Sequence, residues 1–154
     1  MNIQAVASIE IPRPVEKVFD VATDYRRLHE FMTKVGPIPA VLSIKMDKDA
    51  APATGATRSV SMSDKSTIGE EILALDRPTR HHYRWMNPPA MPFGLLIRGG
   101  EADWRFTRAG DGTRVEWTYT FTLSTFLVYP LAALVVGIFR TWMTNALERI
   151  KSAV

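Results

Sequence analysis

The chain has 154 residues, 46% hydrophobic and 23% charged, which suits one globular domain with its own core and argues against disorder. Nineteen basic residues against sixteen acidic ones leave a net charge of +3. The cations are scattered with no run or stripe that would track phosphates, so nucleic acid is not an expected partner. The absence of cysteine excludes disulfides, thiol nucleophiles and cysteine-ligated metals.

The stretch MNIQAVASIEIP lacks the basic and continuous apolar regions of a secretory signal, so an unprocessed cytoplasmic protein is expected. Residues 3–11 alternate, Ile3, Ala5, Ala7, Ile9 and Ile11 against Gln4, Ser8 and Glu10, and predict a half-buried strand. Pro14 suits the start of a helix whose Val15, Val18, Phe19 and Ala22 share one face. Asp24 is placed to cap a second short helix over YRRLHEFMTKV, which Gly36-Pro37 ends. Strands are predicted next over 40–47, 56–63, 67–75, 80–87, 98–108 and 113–124. The turn clusters DAAPATG, SDKS, DRPT and AGDG lie between them, and links this short call for an antiparallel sheet. The segment MNPPAMPFGLL joins two strands and is apolar for a loop, either a flap over the core or a mobile lip.

Residues 126–139, FLVYPLAALVVGIF, carry no charge. The run is too short for a spanning helix, which needs about 20 residues to cross roughly 30 Å. In RTWMTNALERIKSAV, which follows, Phe139, Trp142, Met143, Ala146, Leu147 and Ile150 recur at helical spacing opposite polar residues. One helix from Pro130 to Ala153 is therefore predicted, about 36 Å long at 1.5 Å per residue. Within the run the stripe Leu131, Leu134, Val135 and Ile138 is assigned to the sheet, leaving Tyr129, Ala133, Val136 and Phe139 on other sides. A helix apolar all round needs protein, ligand or lipid about it. The expectation is a partly exposed rim, tested at Val136 and Phe139, suited to peripheral membrane contact or to a homodimer through residues 126–139.

Three segments, ASIEIPRPVEKVFDVATD, GEEILALDRPTRHHYRW and RTWMTNALERIKSAV, fall in an order of strand, two short helices, six strands and long helix that fills the chain. In this order and spacing the chain resembles the START-related (SRPBCC) superfamily of polyketide cyclases/dehydratases, birch-pollen-allergen-like proteins and lipid-transfer domains. The resemblance implies an α+β helix-grip fold, a curved antiparallel sheet of about seven strands around the C-terminal helix with a cavity between. Members include enzymes, carriers and sensors, so the fold does not fix the chemistry.

Registering the last two strands across Ala109–Gly112 sets Phe106 against Val115, Trp104 against Trp117, Ala102 against Tyr119 and Gly100 against Phe121. The aromatics then share one face, either packed core or pocket wall. Across DRPT, Leu75 is paired with Arg80, Ala74 with His81, Ile72 with Tyr83, Glu71 with Arg84 and Glu70 with Trp85. This turns Ile68, Ile72, His81, Tyr83 and Trp85 inward and Arg80, His82 and Arg84 outward, and a one-residue slip would swap them. Glu70 and His81 are the inward polar groups, and burial tunes such groups as acids or bases. Their spacing of roughly 13 Å at 3.3 Å per residue exceeds the about 3 Å of direct proton transfer, so each reads as a hydrogen-bonded wall residue. Arg58 on the neighbouring strand comes within reach of Glu70 in one of the registers open to that hairpin.

The function expected is binding of a small hydrophobic or aromatic, lipid- or polyketide-like molecule. Its wall would comprise Arg58, Glu70, Ile72, His81, Tyr83, Trp85, Trp104, Phe106, Trp117, Tyr119 and Phe121, with Leu134, Ile138 and Trp142 from the helix. The alternative is a cyclase/dehydratase-type enzyme using Glu70, His81 or Tyr83 for proton transfer; a third is a membrane-surface or partner-binding protein. No cofactor is signalled. No metal is expected either: His81 and His82 point to opposite faces of a strand, and His29 sits alone on a surface.

Overall fold

The computed structural model of the chain describes residues 1–154. Strand β1 (Asn2–Ile11) is followed by helices α1 (Val15–Ala22) and α2 (Leu28–Phe31). Then come β2 (Val41–Met46), β3 (Thr57–Met62), β4 (Thr67–Asp76), β5 (Arg80–Trp85), β6 (Ile97–Ala109), β7 (Gly112–Leu123) and the long helix α3 (Tyr129–Ala153). The strands form one antiparallel sheet in the order β1-β7-β6-β5-β4-β3-β2. Helix α3 lies chiefly over β1, α1 packs on β6 and β7, and α2 fills the gap between α3 and β2. This is the helix-grip arrangement that the sequence implied.

Alternation along each strand turns one face to the helices and gives the other to water. The outer face carries ion pairs, with Arg80 on Asp103 at 3.0 Å and Arg84 on Glu71 at 2.7 Å, and a hydrogen bond between His82 and Glu101. The inner face is built in rows that cross the strands. Trp104 pairs with Trp117 on β6 and β7, their rings stacked 4.0 Å apart, and Ala7 of β1 closes the row. The next row sets Tyr83, Ala102, Tyr119 and Ala5 side by side, large against small. In the row beyond, the Trp85 ring lies over Gly100, where a Cβ would come within 2.8 Å of it.

The β6–β7 register is the predicted one. Across the β4–β5 turn the pairs Glu70–Trp85, Glu71–Arg84 and Ile72–Tyr83 hold, but an irregularity between Ile72 and Ala74 shifts the rest. Ala74 therefore faces His82, Leu75 faces His81 and Asp76 faces Arg80, instead of the expected Ala74–His81 and Leu75–Arg80. The extra residue is absorbed as a bulge in β4, so β5 keeps its alternation and His81 stays inward. Helix α2 is one turn rather than the predicted eleven-residue stretch; only Leu28 and Phe31 anchor it, and the Met32 carbonyl already accepts from Val41 N–H of β2.

Helix α3 corrects a further expectation. Its buried side is Ala132, Val136, Trp142, Met143, Ala146, Leu147 and Ile150. Leu131 and Leu134, assigned above to the sheet, are 54% and 65% exposed, whereas Val136, expected at an exposed rim, is 2% exposed. The stripe set by Met143, Ala146 and Ile150 runs back at helical spacing through Phe139 and Val136 to Ala132. Small side chains on that line bring the first turns of the helix close to the rest of the protein, and the leucines point away.

Gly100→Ala is expected to force Trp85 off its seat and lower stability by about 1–3 kcal/mol, the usual cost of overpacking. Urea unfolding followed by tryptophan fluorescence measures both the loss and the changed surroundings of Trp85.

Candidate functional site: a half-hollow sheet face

The inner face is solid at one end and hollow at the other. At the solid end Trp104 and Trp117 are covered by α1, whose Phe19 meets the Phe106 ring edge-on at 5.0 Å, and by Trp142 of α3, 5.8 Å from Trp117. The hollow end is bounded by β2–β5, the ends of β6 and β7 nearest the flap, α2, the first half of α3 and the segment 86–96, and encloses a cavity of about 110 Å³. That is of the order of an engineered cavity of about 150 Å³ that holds benzene.

Nineteen of the twenty-five lining residues are hydrophobic, so an occupant must be largely apolar. Helix α2 gives Leu28 and Met32, and β2 and β3 give Val41, Ile44, Val60 and Met62. The central strands add Ile68, Glu70, Tyr83, Trp85, Tyr119 and Phe121, and α3 adds Val135, Val136, Phe139 and Trp142. Pro89, Ala90 and Phe93 of the flap lie across the opening, beside Asp64 and Ser66 of the β3–β4 turn. The flap is held by Asn87, whose Oδ1 accepts from Gly69 N–H at 2.7 Å.

Seven of the residues expected in the wall therefore line the cavity: Arg58, Glu70, Tyr83, Trp85, Tyr119, Phe121 and Trp142. Ile72, His81, Trp104, Phe106 and Trp117 are buried but do not line it; α1 covers the β6 and β7 residues among them. Leu134 is exposed and Ile138 packs outside, near Gly36. The expectation missed the wall from α2 and β2 and, apart from Arg58, that from β3, although alternation was a usable signal: an inward Arg58 carries Val60 and Met62 inward with it.

Arg58 organises the polar floor. It is 2% exposed, directly opposite Glu70 across the β3–β4 ladder, with its Nε 3.2 Å from Glu70 Oε1. Its Nη2 lies 3.5 Å from His81 Nε2, and its guanidinium carbon sits 4.8 Å from the centre of the Tyr83 ring. Arg58 thus bridges the gap that separates Glu70 from His81 along the sheet. Guanidinium does not lose its proton, so its neighbours adapt. Burial, aided by the Arg58 charge, lowers His81 to about 3, so the ring is neutral and turns an acceptor to Arg58. Burial pushes Glu70 up, and Arg58 opposes it. Tyr83 is raised to about 12 by burial and by Glu70, and burial raises Tyr119 as well. Both phenols therefore keep their protons, and Tyr119 Oη accepts from Trp85 Nε1 at 3.2 Å. The cavity thus pairs an apolar wall with a floor of one ion pair and neutral hydroxyls.

The family model described as polyketide cyclase/dehydrase and lipid transport matches residues 2–154. The chain belongs to that family. Among solved structures this family member is similar to the di-domain ARO/CYC BexL from the BE-7585A biosynthetic pathway, with 18% identity and a TM-score of 0.72 over 98% of this chain and 49% of that one. Truncated norcoclaurine synthase from Thalictrum flavum matches over 99% of this chain and 93% of its own, with 9% identity and a TM-score of 0.72. Ara h 8.0201 matches over 99% and 97%, with 16% identity and a TM-score of 0.65. Identities this low show a common fold and leave the chemistry open. No curated protein matches the sequence.

Two outcomes follow for the floor of this cyclase-family cavity. Arg58→Met strands Glu70 and is expected to cost about 3–5 kcal/mol, while Arg58→Met with Glu70→Leu recovers most of it. A double-mutant cycle from urea unfolding at neutral pH checks this. His81 in the unfolded chain takes up its proton near pH 6.5 and in the folded protein only near 3, so its contribution is lost as the pH falls through that window. Glu70, raised by burial, acts in the opposite sense above 4.5. His81→Gln is therefore expected to flatten the acid decline of the urea midpoint between those pH values.

Proposed function

We propose that the protein binds a small, largely apolar molecule, aromatic or lipid-like, carrying a neutral polar group such as a hydroxyl or carbonyl. The observation that supports this most is the floor: a buried cation already matched by a buried carboxylate, inside a wall that is otherwise hydrophobic. An apolar body gains by leaving water, at about 25 cal/mol per Å² buried. A neutral hydroxyl can exchange hydrogen bonds with Arg58, Glu70 and the two phenols. An extra carboxylate brings an unmatched charge and its desolvation cost. Membership of a cyclase, dehydrase and lipid-transport family is consistent with such a ligand.

A second reading rests on Glu70 alone. It is a buried carboxyl that lines the cavity with its proton affinity raised, which suits an acid or base in a cyclase- or dehydratase-type reaction. His81 does not join it, because it lies outside the cavity wall and is held neutral. The signature of this reading is a pH-dependent turnover lost in Glu70→Gln.

The binding reading is tested with 2-naphthol and 2-naphthoate, followed by tryptophan fluorescence and calorimetry. Wild type is expected to prefer the naphthol, and Glu70→Gln, which leaves Arg58 unmatched, to shift the preference toward the naphthoate. Val60→Phe and Val136→Phe fill the cavity and are expected to abolish binding of both probes while unfolding stays cooperative. Failure of wild type to bind either probe, together with native mass spectrometry that finds no retained small molecule, would overturn the reading.

A further inference from the structure

The mouth of the cavity opens beside a surface that is apolar and edged by cations. Phe126, Leu127, Leu131 and Leu134, at and before the start of α3, are each more than half exposed. Met91 and Leu95 of the flap are too. The two segments are tied together: Ser124 donates from Oγ to the Leu95 carbonyl at 2.6 Å and from N–H to the Leu96 carbonyl at 2.8 Å. These same segments also give Phe93, Val135, Val136 and Phe139 to the cavity wall. Apolar rim and cavity are thus two sides of one wall.

Charge distinguishes this end of the molecule. Residues 86–100 and 122–147 contain no Asp or Glu. Arg98 and Arg140 within them, and Lys65 on the turn at the mouth, are exposed and form no ion pair. Unpaired cations occur elsewhere too, at Lys17, Lys34 and Lys45 among others, but Arg77, Arg80, Arg84, Arg105 and Arg108 each hold a carboxylate, and it is the lack of acidic residues that sets these two segments apart. Beyond Arg140 the outer side of α3 turns polar at Thr144, Glu148 and Lys151, so the greasy surface is confined to the mouth. The inner side of the helix is packed on the sheet, so the helix can lie at a bilayer surface without crossing it.

We propose that this rim docks on a phospholipid bilayer carrying anionic headgroups. The leucines and Phe126 enter the boundary between headgroups and acyl chains, and Arg98, Arg140 and Lys65 lie among the anionic headgroups. Charge favours this occupant over a second copy of the chain: Asp64, on the turn at the mouth, is one carboxylate against Lys65, Arg98 and Arg140, so a two-fold contact through the rim would bring together cations that outnumber their carboxylates. Docked in this way, the cavity faces the hydrocarbon, and an apolar ligand passes from bilayer to cavity without entering water. That last step rests on the binding role proposed above; the docking does not.

Flotation with phosphatidylcholine vesicles, with and without phosphatidylglycerol, tests the proposal. Wild type is expected to float with the anionic vesicles, to be released by high salt, and to associate far more weakly with phosphatidylcholine alone. Leu127→Glu with Leu134→Glu should abolish flotation while circular dichroism and the urea midpoint stay unchanged. Arg98→Gln and Arg140→Gln should each weaken association with anionic vesicles by about fivefold. The cavity-filling Val136→Phe should bind vesicles as wild type does, which separates failure of docking from failure of ligand binding. Absence of flotation, equal flotation with both vesicle types, or a dimer that Leu134→Glu dissociates in sedimentation would overturn the proposal.

Discussion

Arg58 is a charge that cannot be discharged, buried under a sheet, and the hollow half of the molecule is arranged around it. Glu70 stands across the ladder to match it, His81 stays neutral to accept from it, and Tyr83 offers it a ring face. Exchanging Glu70 or His81 singly for an apolar residue leaves the buried guanidinium short of a partner. The result is a floor that is polar yet balanced, which suits an occupant that brings hydrogen bonds and no charge of its own.

The hollow exists because the two ends of the inner face are packed differently. Toward α1 the rows of Trp104, Trp117 and Phe106 are large and meet further aromatics, so no space remains. Toward the flap, Gly100 and Ala102 let Trp85, Tyr83 and Tyr119 settle against the sheet, and α3 presents Val135 and Val136 there. The helix therefore serves twice. Its later turns are core, and its early turns close the cavity with one side while offering leucines to the surroundings with the other.

Much of this was legible in the chain because strand side chains alternate and hairpin turns set the register. Trp104 opposite Trp117 follows from counting outward from Ala109–Gly112, and the structure agrees. The β4 bulge was not legible, since an extra residue in a strand leaves no mark in an alternation that resumes beyond it. The face of α3 was misread for a related reason. In a run where every residue is apolar, size drew the assignment to Leu131 and Leu134, while the polar half of the helix already pointed to Ala132 and Val136.

By itself the sequence determined the order of elements, the antiparallel sheet, the inward strand side chains and the family to which they belong, all local consequences of period and turn chemistry. It also offered Arg58 as a partner for Glu70, but left open the register of the hairpin that joins them, which the structure settles. Only the tertiary structure decided which inward residues meet a void and which meet a helix, that Arg58 joins Glu70 to His81, and that the exposed leucines sit at the cavity mouth. Those facts depend on how distant segments close over one another, and no local periodicity encodes the space left between them.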